Sequence, residues 1–461
     1  MTGLQRRIAA FCAAAPAAWP DAGLAAAGDA LIDTLAVALA GAAEPAVTKL
    51  LAYAAARPGA APLWFAPARH DAEAAALING TAAHALDYDD VAAAWRGHPS
   101  AVLFAALGAV ASLAAARVEA VLRAYVLGYE VGTRLGAWIG PEHYRKGWHA
   151  TATIGVVAAT AACCRLLALP AAQAGSALAL AVAQAAGPRA NFGTEAKPLH
   201  AGLAAAGAVR AALLAQCGLT AAADALAGAH GFAALYGGPG GRPDAFDGLG
   251  ESAPAIVAAG PEPKLFPACY ATHRAIAAAL ELRQARPVTA AVGRVTVTGS
   301  PGSHDALIAD PPAAADAARF HMPTVVALAL LDGQVTLASF APPSLARAEL
   351  RNLAARIDVA EQADGRPGRW ARVVLELSGG SRLEARCEEP LSQPGSGAAW
   401  RRKVGDCLAA AGIAVDPAGL GDRLRALRGH PFPEVAGGPL SPLWQRPAGG
   451  SARPAMPMLH A

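Results

Sequence analysis

Charge is what this sequence has least of. Asp, Glu, Lys and Arg make up 16% of its 461 residues, against roughly 25% in an average soluble domain. Aromatic residues are also scarce, at 5%. Disorder requires few apolar residues and high net charge, and with 54% hydrophobic residues that state is excluded. The charge that remains is balanced, 38 basic against 35 acidic residues for a net +3. It forms no block of one sign, so no nucleic-acid partner is expected. No G-X-Y period and no sustained heptad appears, which excludes collagen and coiled-coil rods. The seven cysteines are odd in number and contain no CxxC. They read as reduced thiols, mostly small buried hydrophobes. Walker A, GxGxxG, HExxH and G-x-S-x-G are all missing, which leaves nucleotide and serine-hydrolase chemistry without a foothold. No cofactor is expected.

Lysine is the scarcest basic residue. Only Lys49, Lys146, Lys197, Lys264 and Lys403 occur. In a chain that uses Arg almost everywhere, a retained Lys points to a need for an ammonium group. Alanine takes the opposite place, at about a quarter of the chain, and implies helices packed closely on all sides. Arg6 and Arg7 before an Ala-rich stretch imitate a signal peptide, but Trp19-Pro20-Asp21 interrupts it. The expectation is a cytoplasmic protein with no membrane partner. The uncharged stretch over 166–188 is long enough to span a bilayer. Its Pro170, Gln173, Gln184 and Pro188 favour two buried helices joined near Pro170.

Apolar runs over 31–43, 99–117, 150–167, 171–186 and 200–217 are too long for strands and predict helices. The Gly-, Pro- and Asp-rich 237–250 reads as a loop. After Pro261 the pattern changes. Residues 294–298 alternate like a strand, and 372–377 and 382–387 flank Ser378-Gly-Gly-Ser381 as a hairpin. Helical stretches lie near 272–282, 323–331 and 344–355. After a Gly/Pro loop near 393–396, residues 400–411 and 420–427 are helical again. The organisation read from this is a helical domain over 1–262, a smaller α+β domain over 263–395, further helices over 396–436 and a loosely held Pro/Gly tail over 437–461.

Ionisable residues gather in five places. The first is His84-Ala-Leu-Asp87-Tyr-Asp89-Asp90 with Gly97-His98-Pro99-Ser100. Carboxylates this close must be held by a cation, by backbone N–H groups or by helix-cap contacts, or must be solvated in a loop. A divalent metal on His84, Asp87, Asp89, Asp90 and His98 is one reading. The second is Gly147-Trp148-His149-Ala150-Thr151, another His before an apolar helix. The third is Lys197-Pro198-Leu199-His200-Ala201-Gly202, in which Lys197 precedes Pro and is expected to be extended. The fourth is Lys264-Leu-Phe266-Pro-Ala-Cys269-Tyr270-Ala-Thr272-His273 at the domain junction, a favoured place for a pocket. The fifth is Arg319-Phe-His321-Met-Pro323-Thr324, with His321 read as a possible surface residue. Several His with two Lys and no cofactor motif suit an anionic carboxylate substrate and proton transfer next to its carboxylate.

Together with Leu331-Asp332-Gly333, these segments resemble the MmgE/PrpD family, in family order and over roughly residues 25–430. KPLHAG and FPACYATH are the specific elements. The family includes 2-methylcitrate dehydratases, cis-aconitate decarboxylases and iminodisuccinate epimerases. The resemblance implies a mainly α fold: a large helical domain made from both chain ends, with an inserted α+β lid. It also implies a homodimer and metal-independent chemistry on di- or tricarboxylic acids. Carried over by motif, Asp87, His98, His149 and Lys197 are the expected catalytic residues, and Lys264, His200, His273 and Thr324 the expected substrate-binding ones. Val91 and Thr324 stand where the decarboxylase branch has Thr and Tyr. A lost phenol removes a proton donor, so a hydro-lyase or epimerase is expected ahead of a decarboxylase. A carboxylate-binding protein without catalysis is the non-enzymatic alternative.

Overall fold

Small side chains decide how the first half of the chain packs. The computed structural model describes residues 3–14, 19–251, 253–285, 292–365, 368–388 and 397–445. Within it run α1 (Leu4–Ala14), α2 (Asp21–Gly41), α3 (Pro45–Tyr53), α4 (Ala72–His84), α5 (Pro99–Leu113), α6 (Val118–Ile139), α7 (Glu142–Arg145), α8 (Ala150–Leu166), α9 (Ala171–Val182) and α10 (Ala196–Gln216). Two short antiparallel strands, β1 (Pro58–Pro62) and β2 (Arg69–His70), lie between α3 and α4. Alanine loses no side-chain entropy on burial and adds little width, so these helices approach until backbones touch. Where α4 meets α10, a β-carbon on Gly202 would lie 2.2 Å from the Leu77 carbonyl oxygen.

The helices share one core, which includes Leu31, Ile78, Phe104, Tyr125, Val157 and Val209. Two of them, α2 and α10, are long and apolar enough to cross a membrane, but 78% and 72% of their most apolar stretches are buried inside the protein. The stretch over 166–188 divides as its prolines predict: α8 ends at Leu166 and α9 starts after Pro170.

Beyond two single turns, α11 (Phe232–Tyr236) and α12 (Ala255–Ala258), the chain builds a second region. It contains α13 (His273–Ala285), β3 (Val292–Gly299), α14 (Ala315–Ala318), α15 (Met322–Asp332), α16 (Pro342–Leu345), α17 (Ala348–Ala354), β4 (Ile357–Glu361), β5 (Ala371–Leu377) and β6 (Arg382–Cys387). The sheet order is β4-β3-β5-β6, with β3 parallel to β4 and antiparallel to β5. The hairpin expected around Ser378-Gly-Gly-Ser381 joins β5 and β6. This region has its own apolar core, built on Ile276, Val295, Val325, Leu328, Val373 and Leu375.

The last elements, α18 (Ala398–Ala410), α19 (Leu420–Ala426) and α20 (Phe432–Val435), return to the first core through Trp400, Val404, Leu424 and Phe432. Lys403 on α18 forms a buried ion pair with Asp33 on α2 at 2.7 Å. The protein is therefore mainly α with a small mixed sheet. The 393–396 loop and residues 446–461 lie outside the described residues. Residues 437–445 differ from the loosely held tail expected from their Pro and Gly content: Leu443 and Trp444 are buried in the first core. Two large apolar side chains are enough to hold this segment down.

Candidate active site

Three helices start beside one another, and each brings an ionisable side chain at its first positions. His98 is the N-cap of α5, His149 is the N-cap of α8, and Lys197 lies in the first turn of α10. Lys197 is thus helical, not extended as its Pro neighbour suggested. Pro198 falls in the first turn, where the missing N–H has no intrahelical acceptor to lose. The loop before α5 is pressed onto the start of α8: a β-carbon on Gly97 would lie 2.7 Å from the Thr151 nitrogen. The His98 N–H donates to Thr151 Oγ1 at 3.0 Å.

The three carboxylates of the first motif are all buried, which removes the solvated-loop reading. Each is held differently. Asp87 accepts a hydrogen bond from Lys197. The Lys264 ammonium lies 2.8 Å from its other carboxylate oxygen, Oδ2, and donates to the Asp87 and Ala268 carbonyls. Asp89 accepts from His84 Nδ1 at 2.8 and 2.9 Å and lies 3.4 Å from His98 Nδ1. Asp90 turns away and caps α5, accepting from the Ser100 N–H and hydroxyl.

Burial by itself raises these carboxyls. At Asp87 the charges of Lys197 and Lys264 outweigh it, and at Asp89 His84 and His98 do. Both acids stay ionised well below the ordinary range. At Asp90 burial and the nearby Asp33 outweigh the hydrogen bond from Ser100 and push the carboxyl up to about 8. The imidazoles move the other way. Burial holds His84 down to about 3 against the pull of Asp89, and it also lowers His98. His149 is held well below its usual range by burial and by Lys197.

A cavity of 460 Å³ opens over these groups, and Asp87, His98, His149 and Lys197 all line it. Tyr144, Phe192, Tyr270 and Phe320 form much of its remaining wall, together with Arg96, Arg274 and Arg369. The expected substrate-binding residues are placed otherwise. Lys264 is fully buried behind Asp87. His200 stands behind His149, with the two Nδ1 atoms 3.2 Å apart. His273 Nε2 donates to the Ala268 carbonyl at 3.2 Å. None of these three is among the cavity's lining residues. Thr324 lies elsewhere, hydrogen-bonded to His321 in a separate apolar depression beside Phe340 and Leu350. His321 is itself buried, because it caps α15 by accepting the Thr324 N–H. Thr324 therefore does not occupy the position of a lost pocket phenol. Tyr144 and Tyr270 bring two phenols to the cavity instead.

Proton positions follow from the contacts. Asn191 Nδ2 lies 3.2 Å from His200 Nε2, which makes that nitrogen an acceptor and puts the His200 proton on Nδ1. That N–H donates to His149 Nδ1, so a neutral His149 carries its own proton on Nε2. Asp89 likewise draws the Nδ1 proton of His84 towards itself and leaves its Nε2 as a lone-pair site, whereas His98 Nδ1 lies 3.4 Å from Asp89 without a hydrogen bond.

A metal is the other occupant to test. Ligand atoms of His84, Asp87, Asp89 and His98 lie within 4.8 Å of one another, and mixed imidazole and carboxylate ligands suit a divalent ion. Asp90, the fifth residue of that reading, points to Ser100 instead. An ion here would compete with the ammonium groups of Lys197 and Lys264 for Asp87.

Sequence reasoning found the floor of the cavity and missed most of its wall. Tyr270 and Arg274 sit in or directly after the FPACYATH segment, and Arg96 directly precedes Gly97-His98, so a search beside the motifs reaches them. Tyr144 and Arg369 carry no local signal.

Comparison with known proteins agrees with this layout. Residues 6–242 match the MmgE/PrpD N-terminal domain, and residues 266–410 match the MmgE/PrpD C-terminal domain. The human cis-aconitate decarboxylase is 27% identical over 349 residues, covering 69% of this chain and 70% of its own length. The mouse cis-aconitate decarboxylase is 28% identical over 352 residues, 69% of each. A cis-aconitate decarboxylase-like protein of Aspergillus oryzae is 36% identical over 127 residues, 26% of each. On these matches the chain belongs to the MmgE/PrpD family.

Proposed function

We propose that this protein is a lyase or isomerase that moves a proton at the carbon next to a carboxylate of a small di- or tricarboxylic acid. One observation carries the reading: His98, His149 and Lys197 stand at three adjoining helix N-termini and line one cavity. Helix N-termini favour anions, and an ammonium beside them stabilises the enolate-like charge that develops when the proton leaves. In this reading His98 Nε2 takes the proton. His149 Nε2–H gives one back, His200 holds that ring in its tautomer, and the Asp89 carboxylate beside His98 favours the imidazolium that forms. Asp87 fixes the Lys197 ammonium in the cavity.

The same groups serve three outcomes. If hydroxide leaves, taking the His149 proton, the product is an alkene plus water. If the carbanion is reprotonated on its other face, the product is the epimer. If CO₂ leaves first, the carbanion is protonated directly, which is the outcome named for the vertebrate relatives. Dehydration or epimerisation is proposed ahead of decarboxylation, because Val91 lines the cavity with an apolar side chain where the decarboxylase branch carries a hydroxyl.

The test is exchange of the α-proton of di- and tricarboxylates with deuterated water. The wild type is expected to catalyse exchange at one position, and His149→Ala and Lys197→Ala to lose it by at least about a hundredfold. Full exchange in both folded variants sinks the assignment. Stoichiometric Mn, Fe or Zn in the purified protein, with loss of exchange on chelation, decides for the metal reading instead.

A further inference from the structure

The mechanism gives no task to a second group of acids behind the cavity floor. Asp29 and Asp33 stand one turn apart on α2, and with Asp90 they line a separate pocket of 20 Å³. Pro261, Pro263 and Trp400 belong to its apolar wall. Asp29 is half-buried, whereas Asp33 and Asp90 are 1% and 2% exposed, which sets Asp29 at the mouth. Among the described residues one cation answers these carboxyls at ion-pair distance: Lys403 binds Asp33 Oδ2 at 2.7 Å. Arg425, the other cation acting on Asp29, is itself paired with Asp422.

Asp33 has an oxygen that this pairing does not use. Its Oδ1 is buried and accepts no hydrogen bond among the described residues. A buried carboxylate oxygen without a donor is costly, so Oδ1 calls for a donor or a cation. Asp90 spends one lone pair of each oxygen on Ser100 and keeps others for the pocket. Three carboxyls against one ammonium leave an excess of negative charge. A water molecule satisfies such a site in hydrogen bonding but not in charge. Size restricts the occupant further. A pocket of 20 Å³ exceeds the about 10–15 Å³ that one water needs and holds one body of that size. Among the described residues the compact set of ligating atoms is the floor cluster, and Asp29, Asp33 and Asp90 are not in it. They stand too far apart for magnesium or zinc, which hold oxygen ligands at about 2.0–2.2 Å. A larger ion of single charge fits both the spread and the excess.

We infer that Asp29, Asp33 and Asp90 form a binding site for a monovalent alkali cation of potassium size, with Asp33 Oδ1 as its innermost ligand. The ion sits where α2, the 87–91 motif, the 261–264 segment and α18 meet. The middle two bear directly on the floor. Asp90 follows Asp89, which holds His84. Pro261 and Pro263 flank Glu262, whose backbone pairs with Val91 in both directions, and Lys264 follows beside Asp87. A bound cation thus draws the link between the helical and sheet regions onto the back of the floor without touching a substrate. The site stands apart from the reaction proposed for the cavity, and its test does not depend on that reading.

The experiment compares thermal unfolding of the full chain in potassium chloride and in tetramethylammonium chloride at equal ionic strength, the second cation being too large for the pocket. Potassium is expected to raise the midpoint by at least about 2 °C, saturably in its concentration. Asp33→Asn should abolish the rise, but it also strands Lys403. Asp29→Asn, at the half-buried mouth, removes a ligand and leaves that pair intact. It should raise the potassium concentration for half the effect by about tenfold. Crystals grown with thallium(I), a heavy stand-in for potassium, should show an anomalous peak at Asp33 Oδ1. Equal wild-type midpoints in the two salts overturn the site. So does a rise that both variants leave unchanged, or an ordered water at Asp33 Oδ1 with no thallium peak.

Discussion

The floor and the mouth of the cavity are charged on opposite terms. On the floor, Asp87, Asp89, Lys197 and Lys264 are buried and answer one another. At the mouth, Arg96 and Arg369 are exposed and face no carboxylate at ion-pair distance among the described residues. The floor is therefore neutralised before anything enters, and its protons already sit on defined nitrogens. The mouth holds its arginines in no ion pair among the described residues, with Glu262 and Asp305 also in its wall. Paired charge on one side and unpaired arginines on the other separate the preorganised part of the cavity from the rest.

Removing the floor's central acid breaks this contrast most severely. Asp87→Ala strands two buried ammonium groups, and an uncompensated buried charge costs about 3–5 kcal/mol. Urea unfolding should show that loss, whereas Arg369→Ala should leave the midpoint unchanged. Equal midpoints for the two variants would show that the floor charges are not coupled.

Packing gives the next largest effect. Gly202→Ala forces α10 from α4, where the added carbon would meet the Leu77 carbonyl at 2.2 Å, and overpacking of this kind costs about 1–3 kcal/mol. Because Lys197 rides on the same helix, the exchange rate should fall as well. Gly379→Ala, in the β5–β6 turn, meets nothing within 4 Å and should stay within about 0.5 kcal/mol of the wild type.

The pH response has two limbs with different owners. Burial holds His84 and His273 to about 3 and His200 to about 4. The unfolded chain binds these protons near pH 6.5, so below that pH it holds more protons than the native state, and stability falls as pH drops. Asp90 runs the other way. Raised to about 8, it keeps a proton that the unfolded chain has lost, so its contribution fades as pH rises from about 4 towards 8. Below pH 6.5 the several histidines outweigh Asp90 and Asp29, the latter raised by burial to about 6, and Asp90 dominates above it. Thermal unfolding should therefore peak near pH 6.5, and Asp90→Asn should flatten only the alkaline limb. An alkaline limb that survives the substitution refutes this account.

Much of the fold was legible because helix length and the Ser378-Gly-Gly-Ser381 turn are local signals. The floor was legible for a related reason: His98, His149 and Lys197 each mark a helix start. What stayed hidden depends on distant partners. The pairing of Asp87 with both lysines, the turning of Asp90 to Ser100, and the separation of Thr324 from the cavity are set by how elements cross, and nothing in the neighbouring sequence encodes them. The packing of Leu443 and Trp444 was hidden by the composition around them, since Pro and Gly mask two good core residues.

Asp87 meets its two lysines across 110 and 177 residues of chain. In order of synthesis the acid comes first, and each ammonium arrives with a later segment. Contacts across such spans form slowly because loop closure precedes any reward. Until both lysines dock, the carboxylate is better off in water, and a half-assembled floor has no stable form. The ion cluster thus ties the cavity floor to segments far apart in the chain: Asp87 is satisfied only where the helical region and the segment after Pro263 meet.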